Sequence, residues 1–218
     1  SLNGLPLDYP GNIKAADPFY HTIMSEIIKD TEQWKYYPEY ISFGIEKSVT
    51  HQPPLPYIDS AMLSIFSGIE SWNTIYFIVV LIAAIRILLI YLIVKEVLDN
   101  RRIALLSAAL YVLPLDPKAW FYEIYIGFWI QVFGLTFLVA FAWLMIRYLK
   151  EKKEWVLMIL SLTIVAITLS HPQDLIFLVI PIISLLYLIF KEGISNKQRV
   201  KRLLYPGIIL LINFIFIL

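Results

Sequence analysis

The sequence predicts an all-α polytopic membrane protein, with five to six transmembrane helices and a structured outer loop of short helices. Three observations predict it. Apolar stretches recur at 73–95, 103–115, 125–146, 155–170, 175–190 and 203–218, and several approach the roughly 20 residues that carry a helix across a bilayer. Basic clusters fall on alternate connections between these stretches. A composition that is 59% hydrophobic, with mean hydropathy +0.72, leaves too few polar residues to cover a soluble core of this length.

The connections set the orientation. Lys95, Arg101 and Arg102 share one, Arg147, Lys150, Lys152 and Lys153 a second, and Lys191, Lys197, Arg199, Lys201 and Arg202 a third. Positive charge on short loops governs topology, so these three are expected in the cytoplasm. Residues 1–70, the turn holding Asp116 and Glu123, and the turn holding His171 and Asp174 are expected on the other side. Of 18 Lys and Arg, 12 then sit inside, 5 outside (Lys14, Lys29, Lys35, Lys47, Lys118) and Arg86 within a span. Of 17 Asp and Glu, 12 sit outside and 5 inside. The net charge of +1 conceals this dipolar distribution and gives no support for a nucleic-acid partner.

Two domains are expected, a non-cytoplasmic loop 1–70 carrying Asp17 and a transmembrane helical bundle 71–218. The chain contains no cysteine, so disulfides do not support the outer segment. The opening Ser-Leu-Asn-Gly-Leu-Pro has neither a basic n-region nor an apolar h-region, and the apolar run 203–218 lacks a polar flank. We therefore expect an excerpt of a longer protein, with at least one span before Ser1 and further spans after Leu218.

Residues 1–70 hold Pro6, Pro10, Pro18, Pro38, Pro53, Pro54 and Pro56, against five prolines later. The clearest helix starts at Asp17-Pro18, a capping carboxylate followed by proline at the first helical position. It continues Phe-Tyr-His-Thr-Ile-Met-Ser-Glu-Ile-Ile-Lys, with Phe19, Ile23 and Ile27, joined by Met24 and Ile28, expected on one face against the membrane or the bundle. Tyr20 and His21 flank Asp17. Downstream, Thr50-His51-Gln52-Pro53-Pro54-Leu55-Pro56-Tyr57 turns the chain back towards the bilayer before an amphipathic stretch 57–69. As a helix cap alone, Asp17 needs no further role.

The Asp17-Pro-Phe-Tyr-His21 string and the later His51-Gln-Pro-Pro-Leu55 string together resemble the first outer loop of the GT-C superfamily of membrane glycosyltransferases. The likeness is nearest to the catalytic subunit of oligosaccharyltransferases and its archaeal relatives. It covers residues 17–21 and 52–57. The arginine usual two positions after the histidine is Ile23 here, and the tight Asp-x-Asp pair is replaced by Asp116 and Glu123. The resemblance implies an enzyme using a polyprenyl-phosphate-linked sugar donor, with Asp17 at the centre of its site and Tyr20, His21 and His51 beside the substrate.

In the second outer turn, Leu113-Pro114-Leu115-Asp116-Pro117, the short run before it and the two prolines recess Asp116 towards the membrane. Glu123 stands at the mouth of the next span, where it either favours the positive end of that helix or partners a donor's phosphate or metal. Trp120, Phe121, Tyr122 and Tyr125 suit an interfacial belt. His171-Pro172-Gln173-Asp174 is either a plain turn or a place for the donor phosphate at His171. Arg86, deep in 73–95, either pairs inside the protein or meets an anionic donor headgroup.

Glycosyl transfer from a polyprenyl phosphate needs an oriented acceptor nucleophile and a neutralised leaving phosphate. Asp17, Asp116 and Glu123 are the catalytic candidates, and as hard oxygen donors they suit Mg²⁺ or Mn²⁺ if a divalent ion is used. Tyr20, His21, His51, Arg86 and His171 are the substrate-binding candidates. The sequence has no glycine-rich phosphate loop, nucleophile elbow or His-Glu-x-x-His. A transporter or channel would place polar residues or broken helices in several spans, and a non-catalytic scaffold would not require the outward clustering of acids, histidines and prolines. The expected partners are the lipid-linked donor and membrane lipids.

The topology is testable in a chain without cysteine. Single cysteines at Ser48 and Ser195 should react with an impermeant maleimide from opposite sides of the membrane; labelling from the same side would overturn the orientation.

Overall fold

The computed structural model describes residues 16–33, 53–113 and 127–191, with single helical positions at 198, 200, 204 and 208. These residues are helical with no strand among them, as an all-α polytopic membrane protein requires. Asp116, Glu123 and His51, with most of 203–218 and of the third basic connection, lie outside the described residues. The chain groups into two compact units, residues 1–84 with 114–133 and residues 85–113 with 134–218.

Among the described residues three segments are long and apolar enough to cross a membrane, Ser71–Leu98, Trp129–Glu151 and Pro172–Lys191, and the apolar helix Glu154–Ser170 is slightly shorter. The run expected at 103–115 forms a helix of only 12 residues, Arg101–Val112. At 1.5 Å per residue it spans about 18 Å, well short of a hydrocarbon core of about 30 Å.

In the first unit, α1 (Ala16–Thr31) packs on α2 (Leu55–Ser67). The α1 start falls one residue before the expected cap, within the ordinary scatter of helix ends. Its buried stripe corrects the expected face: His21, Met24, Ser25 and Ile28 are buried together with Ile27, while Phe19 and Ile23 are each 40% exposed. The rotation follows from the polar contacts of His21 described below, which outweigh the purely apolar spacing.

Helix α2 opens with Pro56 in its first turn and closes at Gly68, whose φ of 71° is left-handed and whose N–H donates to the Ser64 carbonyl at 2.9 Å. It buries Tyr57, Ser60, Ala61 and Ser64 and turns Met62, Ile65 and Phe66 outward, with Phe66 82% exposed. The small hydroxyl side faces the next helix, α3 (Ser71–Leu98). Ser60 Oγ lies 2.9 Å from Thr74 Oγ1 and donates to the Ser71 carbonyl at 3.1 Å, and Thr74 Oγ1 donates to the Ser60 carbonyl at 3.0 Å. Glu26 of α1 joins the seam. Burial pushes its carboxyl up, but hydrogen bonds from Lys29 and Ser71 outweigh that and hold it below the ordinary carboxylate range.

The second unit takes in the later part of α3, α4 (Arg101–Val112), most of α5 (Trp129–Glu151), α6 (Glu154–Ser170), a 3₁₀ helix (Pro172–Leu178) and α7 (Val179–Lys191). Asn100 caps α4, its side chain accepting from Arg102 N–H at 2.9 Å and Ile103 N–H at 3.2 Å. Phe141, Leu144 and Tyr148 of α5, Val156, Leu157, Leu160 and Ile167 of α6, and Leu178, Leu185 and Ile189 form one apolar cluster. At its basic end, Lys150 of α5 bonds the Glu96 carboxylate at 3.1 Å, joining two of the basic connections that the charge pattern places on one side. Arg147 bonds Glu151 and lies over the rings of Trp143 and Trp155 at 5.4 and 5.9 Å.

The seam between α2 and α3 makes a direct test. Thr74→Val keeps the shape but strips the hydroxyl, and should cost about 1–2 kcal/mol in thermal unfolding in nanodiscs. Thr74→Ser should stay close to the parent, and equal stability of all three proteins would remove the seam from the account.

Candidate functional site

Asp17 is the second residue of α1, in the turn where an acidic residue suits the positive end of a helix. The next residue, Pro18, is buried and is met by the chain where it enters α5. Gly127 has a φ of 95°, and a Cβ built on it would stand 2.3 Å from Pro18 Cδ. Both the left-handed backbone and the close approach demand glycine there. Gly127, four positions after Glu123 in sequence, thus lies against the start of α1.

His21 fastens this junction. It is 2% exposed, its Nε2 lies 2.9 Å from the Gly127 carbonyl oxygen, and its Nδ1 lies 2.8 Å from the Tyr57 hydroxyl. A carbonyl only accepts, so Nε2 carries a proton and donates to it, while Nδ1 shares the second hydrogen bond with the Tyr57 hydroxyl. The ring is stacked against Tyr57, with centroids 5.6 Å apart, and tilted against Trp129 at 5.7 Å. Trp129 in turn meets Tyr76 edge-on at 6.2 Å. One imidazole thus joins α1, α2 and the start of α5.

The other sequence candidates fall as follows. Tyr20 is half-buried and approaches His21 edge-on at 6.1 Å. With both ring nitrogens of His21 engaged by the protein, that residue holds the junction together from inside. Arg86 is buried on α3, and its guanidinium lies over the Tyr111 ring at 5.8 Å. His171 closes α6, its N–H donating to the Ile167 carbonyl at 2.7 Å. Asp116, Glu123 and His51 are outside the described residues, among which no three His, Asp or Glu side chains gather as metal ligands.

Sequence reasoning passed over three participants. Tyr57 was visible only as the end of the Pro-Pro-Leu-Pro-Tyr string, and Gly127 as a single glycine between Ile126 and Phe128. Asp174 was seen as a turn residue. It is 3% exposed and lies 3.0 Å from His171 Nδ1 through Oδ1.

Residues 50–218 match the family described as dolichyl-phosphate-mannose-protein mannosyltransferase. The chain belongs to this family. It is therefore an integral membrane glycosyltransferase of GT-C type, and the family implies a polyprenyl-phosphate-linked sugar donor. Membership decides for an enzyme over the transporter and scaffold classes. The match takes in the Pro53-Pro54-Leu55 string, Tyr57, Gly127 and His171, while Asp17 to His21 precede it. No curated protein and no solved structure matches the chain.

The junction predicts coupled energetics. His21→Ala and Tyr57→Phe should each lower the unfolding midpoint, and a double-mutant cycle should return a coupling of about 1 kcal/mol for the shared hydrogen bond. Strictly additive losses would show that the two side chains do not act together.

Proposed function

We propose that this protein transfers a sugar from a polyprenyl-phosphate-linked donor to an acceptor on the non-cytoplasmic side, with Asp17 as the acid at the centre of the site. The observation that supports this reading is the seating of Gly127 on Pro18 and His21, because Gly127 follows Glu123 by four positions in sequence and Pro18 follows Asp17 directly. The oligosaccharyltransferase-like string 17–21 supports the same placement. The family description names a dolichyl-phosphate mannose donor and a protein acceptor; what we carry over is the donor class, a sugar on a polyprenyl phosphate.

In this reading the Asp17 carboxylate takes the proton of the acceptor hydroxyl or amide. The acceptor atom bonds to the anomeric carbon as the bond from that carbon to the phosphate oxygen breaks, and the electron pair of that bond leaves with the polyprenyl phosphate. Asp116 and Glu123 are the further carboxylates of the outer turn. With Asp17 they offer oxygen donors for Mg²⁺ or Mn²⁺, and such an ion would neutralise charge on the phosphate. Tyr20 and His51 flank the substrate. His21 serves the site by holding α1 against α2 and Gly127, and Arg86 and His171 are the cationic candidates for the donor phosphate.

Asp17→Asn separates this role from a structural one. Turnover of a polyprenyl-phosphate-linked sugar by the full-length enzyme should fall by at least about 10²-fold, the contribution of a positioned base. Stability should drop by no more than about 1 kcal/mol, the worth of a charge at a helix start. Undiminished turnover would reduce Asp17 to a helix-start residue.

A further inference from the structure

The turn between α6 and α7 contains an acid that neither the fold nor the proposed transfer step employs. Asp174 is 3% exposed, in a segment that enters the membrane, and its Oδ2 is buried with no hydrogen-bond partner among the described residues. A buried carboxylate is costly unless a cation or donors compensate it. The sole ion-pair contact recorded for Asp174 among the described residues is His171, whose Nδ1 lies 3.0 Å from Oδ1, at hydrogen-bonding distance though not in hydrogen-bonding alignment. Backbone geometry holds the two together, since the Asp174 N–H donates to the His171 carbonyl at 3.0 Å.

The facing helix is shaped for this pair. Gly134 lies inside α5, where glycine costs about 1 kcal/mol relative to alanine. A Cβ there would stand 2.3 Å from Asp174 Oδ2 and 2.5 Å from His171 Cβ. The helix gives up a side chain where the Asp174 carboxylate and the His171 Cβ lie against it. His171 keeps 20% of its side-chain surface exposed, and among the described residues nothing bonds its Nε2.

We propose that Asp174 is a positioning residue that acts through His171: it holds a proton on Nδ1 and so presents Nε2 to the phosphate of the polyprenyl-phosphate-linked donor. This rests on the reading of the protein as a transferase that uses such a donor. With the phosphate docked, the ring lies between two anions, and the imidazolium carries one N–H towards each. Both contacts are then charge-assisted, the stronger class of hydrogen bond. The carboxylate fixes the ring orientation much as a buried acid orients the imidazole of a hydrolase triad. An asparagine at 174 can turn an N–H towards Nδ1, and so reverses the preference between ring nitrogens.

The test uses the full chain in zwitterionic nanodiscs with ¹⁵N-labelled histidine, the His171 signals being assigned by their loss in His171→Gln. The free protein should show His171 as the Nδ1–H tautomer, and Asp174→Asn should convert it to Nε2–H. Farnesyl phosphate should move the His171 Nε2 resonance to that of a protonated nitrogen, with affinity about tenfold weaker in Asp174→Asn. Inorganic phosphate should act on the same signal more weakly. The wild-type tautomer is read without Asp174→Asn, so an unfolded Asp174→Asn does not block the test. An Nε2–H tautomer in the wild type, equal farnesyl phosphate affinity in both proteins, or an equal response to inorganic phosphate or phosphatidylglycerol overturns the proposal. If farnesyl phosphate shifts other signals and leaves His171 unmoved, this inference fails while the transferase reading stands; if it does not bind at all, both fail.

Discussion

The first unit depends on the two hydrogen bonds of one buried histidine. His21 reaches the Tyr57 hydroxyl with one nitrogen and the Gly127 carbonyl with the other, across sequence separations of 36 and 106 residues. Neither bond is unusual in strength. Their weight comes from burial, since a ring nitrogen deprived of its partner inside the packing loses the full solvation it once had. The rotation of α1 and the exposure of Phe19 and Ile23 follow from satisfying that ring, and Gly127 can offer its carbonyl because a glycine fits the left-handed backbone against Pro18.

A comparable constraint shapes the second unit, where a carboxylate is admitted to an apolar setting because α5 offers a glycine at the point of contact. At the basic end of the same unit, Lys150 with Glu96, and Arg147 with Glu151 and two tryptophans, tie the charged turns into short networks. Charged groups concentrate at the ends of these helices, with Arg86 of α3 the buried exception among the described residues, and much of the surface of α3, α6 and α7 is apolar. The outward-facing Phe77, Leu81, Leu88 and Ile180 are in their proper solvent when that solvent is lipid.

Hydropathy alone located the long helices, because a bilayer imposes a length that composition reveals. The expected 73–95 and 155–170 became Ser71–Leu98 and Glu154–Ser170. The expected 125–146 became Trp129–Glu151, shifted because Gly127 delays the start and an Arg147–Glu151 pair extends the end. The face of α1 was not legible, since apolar spacing competes there with a polar contact whose partners lie far along the chain. For the same reason His21 drew notice as a neighbour of Asp17 and Asp174 as a turn residue, while Gly127 and the pairing of Asp174 with His171 did not. Local sequence signals which residues are chemically able; it does not signal which of them the fold has already engaged.

Helix α2 buries Ser60 and Ser64 beside Tyr57 and turns Met62, Ile65 and Phe66 outward, an arrangement unlike that of a helix in water. Outward apolar side chains of this kind suit an apolar surface rather than water. Tyr57 belongs to the same helix, and His21 ties α1 to it. Any displacement of α2 would therefore be felt at α1 through one phenol and one imidazole.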